Sequence, residues 1–416
     1  MNNSWIRISL RTCCPKPREV GRAVPSAPRR FRLHSICAVF VNSIGALGTA
    51  RPTFWLSCHL GNRPLRRLLQ WPGPVALLAL GILSGLWPAV AAEPAGKEEL
   101  LRNVVQSVIR RGYDDLADKS HKFAVSAEDL NKTSTEERLE SMRQSWKEAL
   151  LAARRIQWLQ SGPIADREYL AAFYYSKVLP FRMEEILNSS RPIDDAYVGQ
   201  FGPNARGMFA IEYLLFRPGK PSAPASARRN QYLLVLAHDL ESKAAQIAKD
   251  WAATGEPEAA AKFVAAGQQS VGLLVNQISQ FIEQTAEQRL NFVLALPPPI
   301  SSQLDRIEGG RSHISQQSAV EALKGVQRLY RGSDGNGIEG YLKRLNAPLA
   351  ERLAKQFEAT VNAAETIGSP LEQAAVDNRL ALQRAYETTR ALEILLKTDL
   401  TSALGVTLTF TSNDGD

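Results

Sequence analysis

The stretch Gln200–Phe216, QFGPNARGMFAIEYLLF, decides how this chain is read. Gly202 and Pro203 break whatever precedes them, and Asn204 has the side chain of an N-cap. The run from Met208 to Phe216 is then apolar on nearly every face, as in a helix buried all round. Glu212 is its one carboxylate. In such surroundings a carboxylate must be paired, hydrogen-bonded, protonated or bound to a metal. The plainest expectation is a structural glutamate paired with Arg206, Arg217 or an arginine from elsewhere in the chain.

Working outward, the chain shows helical periodicity on both sides. Lys97–Arg111 and Tyr113–Leu130 are predicted helices. Thr133–Glu137 reads as a capping box, with Ser134 as N-cap and Glu137 three residues on. The helix it opens carries Leu139, Met142, Trp146, Leu150, Ala153 and Gln157 at spacings of three and four, and ends before Ser161-Gly162-Pro163. An aromatic-rich helical region over 165–190 is broken by Pro180. Residues 217–227, rich in Pro and Gly, are a predicted loop and subdomain hinge. Long amphipathic helices are expected over 228–251 and from about 257 to 292, the second stopped by Pro297-Pro298-Pro299. Residues 301–318 form a polar loop containing Asp305, Glu308, Arg311 and His313. Helices follow over 319–330, 338–345, 347–367 and 378–400. Residues 406–411 alternate apolar residues with threonine, so a short strand or extended tail is expected there.

These stretches resemble the imelysin family, also described as the M75 peptidases. Gly207–Glu212 matches its Gly-x-His-x-x-Glu signature at the glycine and the glutamate, but Phe209 stands where the family has histidine. Ser145–Asp166 resembles its Trp-containing helix with a Gly-Pro turn, and the ending LGVTLTFTSNDGD resembles its close. The resemblance implies an all-α fold of two helical bundles, with the signature in a cleft between them. It also implies a link to bacterial iron acquisition, with partners among envelope or outer-membrane iron-transport components. On that view Glu212 is a metal ligand for iron or another divalent or trivalent cation. Arg154, Arg155, Arg206, Glu308 and His313 are candidates to line the cleft. A benzyl group cannot ligate a metal, so Phe209 removes half of the implied metal pair. A hydrolytic zinc site takes about three protein ligands and an open position. The metallopeptidase implied by the family label is therefore the alternative rather than the first expectation. A structural module that kept the fold and lost the site is the third.

Charge and cysteine content sort with the leader. The chain carries 50 Lys and Arg against 42 Asp and Glu. Residues 1–92 hold 12 of those bases and one acid, Glu19, which leaves 38 bases and 41 acids in 93–416. The basic pI thus belongs to the leader, and nucleic acid is not an expected partner. Arg63, Arg66 and Arg67, the apolar Val75–Leu86 and the Ala89-Val90-Ala91 site together read as a cleavable secretory signal spanning 61–92. Residues 1–60 are either a disordered extension or the product of a start site placed too far upstream. All four cysteines, Cys13, Cys14, Cys37 and Cys58, precede the cleavage site, and no cysteine stands at it to carry a lipid. The expectation is a periplasmic or envelope protein whose helical domain is 93–416, with two subdomains.

Overall fold

The structure, a computed structural model, describes residues 96–408 except 176, 218–222 and 253–258. The predicted leader and signal, and the four cysteines, lie outside them, as do residues 218–222 of the predicted hinge, Pro257 and the last eight residues.

The described chain is helical throughout, without strands. We label the main helices α1 (Lys97–Val104), α2 (Arg110–Lys132), α3 (Glu136–Ile156), α4 (Arg167–Tyr174), α5 (Pro180–Asn188), α6 (Gly207–Phe216), α7 (Ala223–Ala252), α8 (Gln268–Gln284), α9 (Ser315–Arg331), α10 (Ile338–Thr366) and α11 (Arg379–Leu395). Helices α2, α3 and α7 pack together and carry α6. Helices α8, α9, α10 and α11 form the second bundle. The two meet where α3 crosses α9. At that crossing Gly325 has no room for a side chain, because a Cβ would run into the backbone carbonyl of Arg155.

Local physics moves several predicted boundaries. Lys97 to Lys132 runs unbroken through a wide π-turn at Val105–Ile109, and Gly112, at the expected break, lies inside the helix with a Cβ position only 2.9 Å from Ile156 Cδ1. Thr135, not Ser134, caps α3 by accepting the Arg138 N–H at 3.3 Å. The Ser134 hydroxyl instead accepts from Asn230 at 3.0 Å. Pro180 begins α5 at its first turn, where its missing N–H costs nothing. Asn204 lies in a 3₁₀ turn, and Arg206 precedes α6 without a capping side chain. Helix α7 starts at Ala223, inside the predicted loop. The helices read over 338–345 and 347–367 abut at Asn346, whose side chain caps the second by accepting the Leu349 N–H at 3.1 Å. Residues 406–408 form no strand. No described helix is long and apolar enough to cross a membrane.

Candidate functional site

Helix α6 is buried along its length, from Gly207 through Leu215. Its start is fixed by Gly207, at φ +79°, where a Cβ would lie 2.5 Å from the Ala172 carbonyl oxygen of α4. An L side chain would be strained there and would also collide with backbone. Helix α3 clasps α6 at both ends. The Trp146 indole N–H donates to the Met208 carbonyl at 3.1 Å, and Arg143 donates to the Leu215 carbonyl at 3.1 Å. The second contact satisfies an orphan carbonyl at the negative end of the helix.

So held, α6 presents Glu212 to the turn that leads into α9. Glu212 is 4 % exposed. Its Oε1 accepts the Ser312 backbone N–H at 3.1 Å and the Ser312 hydroxyl at 2.7 Å. Burial pushes the Glu212 carboxyl up to about 7, with Glu308 adding to the rise. The two bonds from Ser312 and the charge of Arg311 pull the other way without cancelling it. Arg311 itself pairs with Asp305 and lies 5.0 Å from the centre of the Tyr213 ring.

Beside it is a second, half-buried carboxylate with a different environment. Glu308 lies between two arginines, with Arg154 Nε 2.6 Å from Oε1 and Arg289 Nη2 3.2 Å from Oε2. The Arg154 contact is ionic and close but not aligned as a hydrogen bond. The Ser318 hydroxyl donates to Oε1 at 2.7 Å. The Gln157 Oε1 accepts from both arginines, at 2.8 Å from Arg154 and 2.7 Å from Arg289. Burial alone would raise the Glu308 carboxyl, but Arg154 and Arg289 outweigh it and hold it down at about 2. Arg154 is fully buried, and its guanidinium lies 5.2 Å from the centre of the Phe209 ring and 5.6 Å from that of Tyr174. Its Nη2 and the Tyr174 hydroxyl are both buried without a hydrogen-bond partner.

Of the residues singled out in the sequence, Phe209, Glu212, Arg154 and Glu308 therefore come together where the bundles meet. Gly207 starts α6 against Ala172, away from that cluster. The other three also go elsewhere. Arg155 pairs with Asp115 and Glu321, each at 2.5 Å. Arg206 pairs with Asp239 at 3.4 Å. His313, largely exposed, has Nδ1 2.9 Å from Glu372, which also accepts the Ser315 hydroxyl at 2.5 Å. Ser312, Arg289 and Ser318 are not among the sequence candidates, and Gln157 is read there only as part of the α3 stripe. Arg289 was the most accessible of them to sequence reasoning, since it lies in a helical run beside Leu290 and Val293, where a charge needs a partner.

The donor set fits a cation poorly. Glu212 has one carboxylate, a serine and the edge of an arginine cluster around it. Among the described residues no group of three or more His, Cys, Asp or Glu side chains could hold a metal ion. The orphaned groups, Arg154 Nη2 and the Tyr174 hydroxyl, are hydrogen-bond donors and suit an acceptor. The void beside Glu308, lined by Arg289, Phe292, Ile307, Ser315 and Leu371, holds only about 10 Å³.

The family model for imelysin, peptidase family M75, matches residues 109–396. Two solved structures share the fold. One is a putative iron-regulated protein A precursor from Parabacteroides distasonis, with a TM-score of 0.64 and 16 % identity, covering 76 % of this chain and 96 % of that one. The other is an imelysin-like protein from Psychrobacter arcticum, with a TM-score of 0.63 and 17 % identity, covering 76 % of this chain and 97 % of that one. No match was found among curated proteins.

Proposed function

The chain belongs to the imelysin family, and from that premise we propose that it is an exported envelope protein that binds a ligand or iron species in iron acquisition without catalysing a reaction on it. The observation that carries this reading is the Arg154–Glu308–Arg289 network packed under Phe209, at the position of the signature histidine. Where a metal pair would need a second ligand, this chain has an aromatic ring against a guanidinium. The unpaired donors of Arg154 and Tyr174 would suit a ligand that brings acceptor atoms, but both are buried, so such a ligand would have to part the packed side chains to reach them. The iron connection draws on the similar protein described as iron-regulated. Export draws on the basic, apolar and A-x-A segments of the leader. Partners would then be envelope or outer-membrane iron-transport components.

The test is the metal content and thermal stability of the protein purified without chelators from cells expressing the full chain, beside a Glu212→Ala variant. The expected result is no stoichiometric zinc and no rise in melting temperature with added Zn²⁺, since a ligand that binds the native state must stabilise it. Stoichiometric zinc that disappears in Glu212→Ala would overturn the reading and return the metallopeptidase to first place. Phe209→His sharpens the test. We expect it to lose about 1–3 kcal/mol from a buried imidazole next to a guanidinium, read by urea unfolding, and to gain no metal-dependent stabilisation. N-terminal sequencing of the purified protein checks export, with a start at Ala92 or Glu93 expected.

A further inference from the structure

A larger hollow lies not at the Glu212 seam but at the other end of the same helix. It is a groove of about 390 Å³ between α4, the turn over residues 199–206 and α7. A second hollow of about 310 Å³ continues it along α7 and shares Gly199, Arg206 and Asp239. Together they fall within the size range of small-molecule sites.

The lining has two characters. Ala171, Ala172, Phe201 and Pro203 make an apolar wall. Arg206, Asp239 and Lys243 form a charged group. Asp239 serves both cations, pairing with Lys243 one helical turn away and with Arg206 at 3.4 Å. Lys243 is only 9 % exposed, so its charge is held in a low-dielectric wall. In the inner wall two cations share one carboxylate, an excess of one positive charge there. The start of α6 adds to it, because Gly207 lines the groove and no side chain caps the helix there. The remaining carboxylates, Glu168 in the first hollow and Asp195 in the second, stand exposed at the edges, where solvent screens them, and would repel a second negative charge. His238, which also lines the second hollow, pairs with Glu128 at 3.2 Å.

We infer that this groove binds a small monocarboxylate with an apolar body. Its carboxylate would be received by Arg206 and Lys243 at the head of α6, and its body would lie along Ala171, Ala172, Phe201 and Pro203. A guanidinium beside an ammonium suits a carboxylate. The apolar wall disfavours a bare inorganic anion, and Glu168 disfavours a dicarboxylate. The site is separate from the Glu212 seam, so the inference stands or falls independently of any metal there.

The experiment is calorimetric titration of the purified protein at low ionic strength with hexanoate, hexylamine and inorganic phosphate. Saturable binding of hexanoate, absent for the other two, is expected. Lys243→Met and Arg206→Gln should each weaken it by about tenfold, the loss of one charge-assisted contact. Asp239→Asn frees both cations and should tighten it, an effect that a purely structural Asp239 would not produce. Equal binding of hexylamine, binding of phosphate alone, or no binding by either the parent or Asp239→Asn would each overturn the inference. So would hexanoate affinity unchanged in Lys243→Met and Arg206→Gln, provided that circular dichroism shows both variants folded.

Discussion

Glu212 and Glu308 are neighbouring glutamates in one buried seam, and their environments push them in opposite directions. Glu212 receives neutral donors from Ser312, which do not offset the loss of water, so its carboxyl is held at about 7. Glu308 sits between two guanidiniums and is held at about 2. Glu308 keeps 15 % of its side chain exposed, but both lose most of their water, and the larger difference lies in the charge of the partner. A hydrogen bond from a neutral group returns part of the hydration energy, whereas an opposite charge at contact distance returns more than was lost. The pair also sets the charge of the seam. With Glu212 protonated, Arg154 and Arg289 face one negative charge; above about pH 7 they face two.

The contrast can be broken most forcefully at Glu308. Glu308→Gln leaves Arg154 and Arg289 buried without a counter-charge and should cost about 3–5 kcal/mol in urea unfolding at neutral pH. A loss below about 1 kcal/mol, the value of an exposed pair, would mean that water reaches the arginines and the comparison fails.

The next effect has the opposite sign. Because the folded-state value of Glu212 is raised, its contribution to stability is full below the unfolded value of about 4.5 and is lost as pH rises through about 7. The shift corresponds to about 3 kcal/mol at most. Glu308 does the reverse, contributing above about 4.5 and losing it as pH falls towards 2. Glu212→Gln keeps an acceptor for Ser312 and removes the ionisation. It should therefore flatten the stability decline between pH 5 and 8, and be more stable than the parent at pH 8. An unchanged pH profile would show that Glu212 is not the group responsible.

The smallest expected effect sharpens the Glu212 side alone. Ser312→Ala removes the hydroxyl donor but keeps the backbone N–H, at a cost of about 1 kcal/mol. It should move the alkaline loss of stability to higher pH, since a charge-stabilising bond is gone. A shift to lower pH in the same titration would contradict the assigned direction of that bond.

Much of this was legible in the sequence. The all-helical fold follows from apolar spacing of three and four along nearly every segment after residue 96. The burial of α6 follows from a run with no polar face, and the need of Glu212 for a partner follows from that burial. The signature resemblance also selected Gly207, and backbone geometry supplies the reason for a glycine. Cap assignments were less legible. Ser134 and Thr135 offer the same hydroxyl, and only the contact of Ser134 with Asn230 of α7 separates them.

What the sequence could not contain was the identity of partners. Arg154 and Arg155 are adjacent and chemically identical, yet one is fully buried against Glu308 and the other spans Asp115 and Glu321. A helix turns by about 100° per residue, so neighbours face different surroundings, and the choice between them is made by how α3 crosses α9. Ser312 reaches Glu212 across 100 positions of chain, and Arg289 reaches Gln157 across 132. Helical periodicity states which face of each helix is apolar; it carries no record of what that face meets. By itself the sequence determined a family, a helical architecture and a buried carboxylate in need of a partner. Tertiary packing alone decided that Glu212 would be met by a serine and Glu308 by two arginines.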